Sequence, residues 1–180
     1  MRLRRVAFAT ALTLSLAAGW APPANALLWT FDVTLDGAQE RPTPVATAAT
    51  GTATVTFDDQ TGLMEVTGSF ANLTSIANNA HVHGFAPLGN PGDPATTGPP
   101  IVNLQFTAAT SGTISGSGTI AAGNIAAVLA GLTYINVHSV DFPAGEIRGQ
   151  LVDPIPEPAS ALLLLSGVAA LALRRRAGRR

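Results

Sequence analysis

The sequence predicts an all-β protein: an antiparallel β-sandwich or Greek-key barrel of about seven or eight short strands with one short helix. Three observations carry this. Apolar and polar residues alternate with period two through residues 27–153, as half-buried strands require. Turn-forming residues separate the runs. Threonine and valine recur within them, and their branched Cβ atoms suit a pleated surface.

The elements follow in order. Trp29, Phe31, Val33 and Leu35 share one face of the first run, with Thr30, Asp32 and Thr34 on the other. Ala53, Val55 and Phe57 alternate with Thr52, Thr54 and Thr56. Met64, Val66 and Phe70 oppose Glu65, Thr67 and Ser69. Between these two runs, Asp58-Asp59-Gln60-Thr61-Gly62 reads as a hairpin connection. Residues 80–84 form a further run, and residues 85–100, rich in proline and glycine, read as a long irregular loop. Val102, Leu104 and Phe106 resume the alternation. Ile114 and Ile120 continue it across the Ser/Gly/Thr stretch 112–118, which reads as an edge strand. Residues 121–131 break the pattern: Ile125, Val128 and Leu129 are spaced for a short helix, with Asn124 as cap and Gly131 as stop. Ile135 with Val137, and Ile147 with Leu151, complete the set.

Composition limits the chemistry. A chain of 180 residues holds one domain plus sorting segments. Its 12% charged residues are about half the share of an average globular domain. Cysteine is absent, which excludes disulfides, thiolate metal sites and cysteine nucleophiles. All ten basic residues are arginine, which excludes lysine Schiff bases and P-loops. Eight of them lie at the two ends. Residues 27–155 hold ten acidic and two basic residues, a net −8. Such a body disfavours nucleic acid, whose phosphates need a basic surface, and suits cations or solubility outside the cell.

Both ends read as addresses. Residues 1–26 have a basic start, an apolar run over 6–18, two prolines, and Ala24-Asn25-Ala26 as a small-x-small site for signal peptidase. At the other end, Pro156-Glu157-Pro158 precedes an apolar run over 161–173 and then an arginine cluster. From Ala159 to Leu173 a helix would reach about 22 Å, short of a hydrocarbon core of roughly 30 Å. That length suits transient membrane insertion, with the arginines left on the cytoplasmic side. This tail, residues 154–180, resembles the PEP-CTERM sorting signal of Gram-negative bacteria. The resemblance implies cutting near the motif by an exosortase-type membrane enzyme, in organisms that make exopolysaccharide.

Two segments of the body stand out: Ala80-His81-Val82-His83-Gly84 and Tyr134-Ile135-Asn136-Val137-His138. The second runs on through Phe142-Pro143-Ala144 to Gly145-Glu146-Ile147-Arg148-Gly149-Gln150-Leu151. With the opening Leu35-Asp36-Gly37-Ala38-Gln39-Glu40, they make residues 29–152 similar to the CHRD domain, a module repeated in chordin and found in bacterial exported proteins. The resemblance implies a β-sandwich and brings no general activity with it.

The histidines can also be read physically. His81 and His83 are two apart and project from one strand face, away from the expected core. His138 does the same beside Tyr134 and Asn136. If the two strands are neighbours, three imidazoles converge, and three neutral imidazoles with an open fourth position suit zinc or copper. The other reading is a hydrogen-bonded polar cluster at the sheet surface. His81-Val82-His83 is also similar to the copper-binding strand of copper/zinc superoxide dismutases. The sequence departs from that pattern, because it lacks the further histidines of a two-metal site and the disulfide cysteines, which argues against dismutase activity.

Glu146, Arg148 and Gln150 share another strand face, and a bidentate pair between Arg148 and Glu40 or Glu146 would make a structural clamp. No catalytic set is recognisable: there is no Gly-x-Ser-x-Gly elbow and no phosphate loop. The sequence therefore points to an exported binding or structural module at the cell surface, in the extracellular matrix or in exopolysaccharide. A metal-binding or metal-dependent redox protein using His81, His83 and His138 is the alternative.

Overall fold

The computed structural model describes residues 27–156. Ala24 and Ala26 of the expected cleavage site lie outside the described residues, as do Glu157, Pro158 and the apolar run 161–173. Ten strands form one antiparallel sheet. They are β1 (Leu28–Asp36), β2 (Thr50–Asp58), β3 (Leu63–Ala71), β4 (Ala77–Gly84), β5 (Pro100–Asn103), β6 (Gln105–Phe106), β7 (Gly112–Thr119), β8 (Thr133–Ser139), β9 (Ile147–Gln150) and β10 (Ile155–Pro156). The order is β5-β4-β8-β9-β1-β2-β3-β7-β6, with β10 added to β1.

This sheet curls into a nearly closed barrel, so the all-β expectation holds in its barrel form. Closure is visible where the two ends of the sheet meet. The Leu104 amide donates to the Ala80 carbonyl at 3.0 Å, and the missing Cβ of Gly118 would lie 2.8 Å from a Val102 methyl. Glycine in β7 is thus a matter of space, since a side chain there would push the ends apart.

The core is made by the alternation itself. In the β1–β2 pair, Phe31 lies opposite Val55, Val33 opposite Ala53 and Trp29 opposite Phe57. Phe31, Val55, Phe57 and Met64 are fully buried, and burial of each such side chain contributes about 1.5–3 kcal/mol. The Asp58–Gly62 connection is a turn: the Asp58 carboxylate accepts from the amides of Gln60 and Thr61, and Gly62 has φ of +73°.

Four details differ from the sequence reading. There are ten strands, rather than seven or eight, because β6 and β10 span only two residues each. The run through Val102, Leu104 and Phe106 is split at Leu104, where the chain leaves β4 to pair with β7. The 112–118 stretch is a strand but not the edge, since β6 pairs along its outer side. The helix is shorter than residues 121–131: a 3-10 turn precedes α1 (Ile125–Leu129). Asn124 makes no side-chain capping bond there, while Gly131 at φ +74° follows as the stop.

A candidate metal centre under the loops

Strands β4 and β8 lie side by side. His83 is opposite Tyr134, His81 opposite Asn136, and Asn79 opposite His138. Their inner faces send Ala80, Val82, Ile135 and Val137 into the core. That choice forces the intervening residues, including all three histidines, onto the other face.

That outer face is not at the surface, contrary to the sequence expectation. His83 is 8% and His138 7% exposed, and every residue of β8 is buried. The reason is coverage by three segments distant in sequence. Residues 85–99 reach over it through the carbonyls of Ala86, Pro87, Thr96 and Gly98. Residues 37–46 contribute Gln39 and Glu40, and the 140–145 turn contributes the Pro143 carbonyl. His81, nearest the opening, stays partly exposed.

The three rings converge. Each offers a ring nitrogen, and the three nitrogens lie within 4.8 Å of one another. His81 Nδ1 and His138 Nε2 are 3.4 Å apart, close to the spacing of about 3.4 Å that two tetrahedral ligands have when each sits 2.0–2.1 Å from one zinc ion. The other nitrogens of His83 and His138 are committed. His83 Nδ1 donates to the Gly98 carbonyl at 2.9 Å, and His138 Nδ1 donates to the Pro143 carbonyl at 3.1 Å. A carbonyl accepts only, so in both rings Nδ1 carries the hydrogen and Nε2 keeps its lone pair. This is the arrangement by which backbone carbonyls fix the tautomer and orientation of metal-ligating histidines. His83 Nε2 is buried without a partner.

Burial also keeps the rings neutral. It lowers His81, and it lowers His83 with help from the positive charge of Arg148. It pushes His138 down to about 4, against the opposing effect of the Pro143 carbonyl. Neutral imidazole is the ligating form.

Beside the histidines lies a second polar group. Tyr134 stacks on His83, with centroids 4.9 Å apart and planes within 10°, and the Arg148 guanidinium carbon sits 3.6 Å from the Tyr134 centroid. Arg148 does not make the expected carboxylate clamp. It donates to the Thr96 and Pro87 carbonyls, which the covering loop brings to it, and to Gln150 Oε1 on its own strand. Glu146 is instead held by the Thr47, Thr74 and Ser139 hydroxyls and the Thr74 amide. Burial pushes its carboxyl up, but these four donors outweigh it and hold it below the usual range.

Glu40 behaves oppositely. It lines a cleft of about 610 Å³ between residues 40–46 and 141–145. Burial raises it to about 7 despite the nearby Arg148 and a bond from Asn136. The two carboxylates thus differ: Glu40 is raised and lines a cleft, whereas both oxygens of Glu146 accept hydrogen bonds. Among the described residues, five buried side-chain atoms lack a hydrogen-bond partner. Four of them, on Glu40, His83, Asn136 and Arg148, belong to this one polar region. The sequence signals the histidines and Arg148, but nothing in it marks the Gly98 and Pro143 carbonyls, which are backbone atoms on loops.

Fold and site together define a class: a small antiparallel barrel whose loops bury a histidine-bearing polar face, followed by a sorting tail. Residues 31–151 match the CHRD domain, and the chain belongs to that family. Residues 154–180 match the PEP-CTERM protein-sorting motif, which implies processing by exosortase and export to the cell surface in Gram-negative bacteria. No curated protein and no solved structure matches the chain.

Proposed function

We propose that this exported CHRD domain is a binding module of the cell surface whose ligand is a transition-metal ion of the zinc or copper class, held by His81, His83 and His138. The observation that carries the reading is the convergence of three neutral imidazoles, two of them with their tautomer set by backbone carbonyls. The absence of cysteine and the histidine-only donor set favour zinc or copper over softer or harder ions. Partly exposed His81 leaves room for a fourth ligand from solvent or a surface partner. The acidic body draws cations toward the opening. In this reading signal peptidase removes residues 1–26 after Ala26, residues 27–153 form the domain, and residues 154–180 insert transiently before cutting near Pro156, Glu157 and Pro158. The released module then works among surface proteins or exopolysaccharide.

Titration of the exported protein with zinc and with copper, followed by histidine resonances and by bound metal after dialysis, tests the reading. One ion per chain is expected, with all three histidines shifted by zinc and broadened by copper. Replacing His83 or His138 with glutamine should abolish retention. Unmoved resonances at millimolar metal would leave His81 Nδ1–H simply donating to His138 Nε2, a structural hydrogen bond.

A further inference from the structure

The metal reading uses Nε2 of His83, and the group that frees this nitrogen lies outside the strand. His83 Nδ1 donates to the carbonyl of Gly98, and the Gly98 amide donates to the Tyr134 hydroxyl at 3.1 Å. One glycine thus fixes both members of the His83–Tyr134 stack. No other residue fits there: a Cβ on Gly98 would lie 2.2 Å from the Gly84 carbonyl oxygen. Gly98 belongs to the 85–99 loop, which backbone bonds hold at Ala86 and Pro99 and Arg41 holds at the Leu88 and Gly89 carbonyls, while the buried Arg148 and Gln150 side chains tie its inner side to β9. Arg148 gives Nη1 to the Thr96 carbonyl at 2.7 Å and Nη2 to the Pro87 carbonyl at 3.2 Å, gripping both arms of the loop. The same guanidinium supports the Tyr134 ring on which His83 stacks.

We infer that Arg148 and Gly98 are positioning residues for the metal site: Arg148 holds the 85–99 loop over β8, and the Gly98 carbonyl then fixes His83 with Nδ1 protonated and Nε2 free to ligate. The inference rests on the metal reading above. A guanidinium is required because its planar fork reaches the two carbonyls from separate nitrogens while lying over the Tyr134 ring, whereas the three N–H groups of an ammonium radiate from a single nitrogen on a flexible stem. His138 supplies an internal control, since its tautomer is set by Pro143 in a different loop. By linkage, a loop that strengthens metal binding is itself held more tightly when metal is bound.

The test uses the exported protein, zinc alone as probe, Arg148→Lys and Gly98→Ala as variants, and two readouts: ¹⁵N histidine shifts and amide exchange. In metal-free Arg148→Lys, His83 should lose its single Nδ1–H form while His138 keeps its own, and zinc affinity should fall about 10- to 100-fold. Gly98→Ala should do the same. In the wild-type protein zinc should slow exchange across residues 85–99. Arg148→Lys that binds zinc as the wild type does, with His83 signals unchanged, overturns the inference. Should both variants fail to fold, the wild type decides: zinc that shifts the three histidines but leaves exchange in the loop unaltered sinks the inference and spares the metal reading. Zinc that shifts no histidine sinks both.

Discussion

Strands β2 and β8 are both alternating strands within one sheet, yet they meet opposite fates. In β2 the inward residues Ala53, Val55 and Phe57 are buried, while Thr52 and Thr54 face solvent. In β8 the inward residues Ile135 and Val137 are buried and so are the outward ones, Tyr134, Asn136 and His138. The difference does not lie in the strands. It lies in what crosses over them: among the described residues nothing covers Thr52 and Thr54, whereas three loops cover β8. An outward polar residue on β2 is solvated by water and contributes little. One on β8 must find its partners within the protein, and where it does not, a lone pair or donor is left for a ligand.

The largest effect that would break this comparison is on the core side of β2. Val55→Asp places a charge among Phe31 and Val66, its cross-strand neighbours, with no partner. We expect loss of the folded state, a cost of more than about 4 kcal/mol, read as absence of a cooperative thermal transition. Next comes Glu146→Ala under the β8 loops. It removes the acceptor shared by Thr47, Thr74 and Ser139, strands the buried Ser139 hydroxyl without a partner and breaks three further bonds at the half-buried Thr47 and exposed Thr74, for about 3 kcal/mol. The carboxylate is depressed in the folded state, so its stabilisation is present above the unfolded pKa and lost as pH falls through the lower, folded one. Wild type and variant should therefore converge in stability under acid, which denaturant titration at several pH values would check.

Glu40 sharpens the comparison with the opposite sign. Its carboxyl is raised from 4.5 to about 7, so its favourable contribution is complete below the unfolded pKa and is lost as pH rises through 7. The groups that face it are Arg148, Arg41 and Asn136, and none offsets the burial. Glu40→Gln should match the wild type near pH 4 and become more stable than it at pH 8, by an amount on the order of 3 kcal/mol. The depressed histidines pull wild-type stability the other way over part of this range, and comparison of the two proteins removes their contribution. A pH-independent difference would place Glu40 in a more solvated site than the structure shows.

These two regions also explain what was legible in the sequence. Period-two alternation located β1, β2 and β3 and their inward residues, because a solvated outer face makes the pattern plain. The turn at Asp58–Gly62 was equally local. The histidine face was located but misplaced at the surface. Polar identity says only that a residue avoids the apolar core, and whether water or a loop lies beyond it is decided by contacts such as Arg148 to Thr96, 52 residues away. The same separation hid the fate of Arg148. An arginine two positions from a glutamate reads as half of an ion pair, but three loop carbonyls, from Thr96, Pro87 and Gly98, organise this region, and carbonyls have no letter in a sequence.

The smallest effect tests the solvated side of the comparison. Thr54 is exposed, one position from Val55, and lies directly opposite Asp32, whose carboxylate accepts from the Thr54 hydroxyl at 3.2 Å. From alternation alone Thr54→Asp would be neutral. The register adds a specific term, because the variant replaces an exposed hydrogen bond with two like charges on paired strands, and such pairs are unfavourable by a few tenths to about 1 kcal/mol. Water and salt reach both carboxylates, so the penalty should shrink as ionic strength rises from 0.01 to 0.5 M and the Debye length falls from about 30 Å to below 10 Å. Thr54→Asn, which keeps a donor beside Asp32 and adds no charge, should restore wild-type stability. A salt-sensitive penalty below about 1 kcal/mol, against the collapse expected of Val55→Asp, is the signature of an outer face open to solvent. A penalty of several kcal/mol that ignores salt would mean that something covers β2 as the loops cover β8.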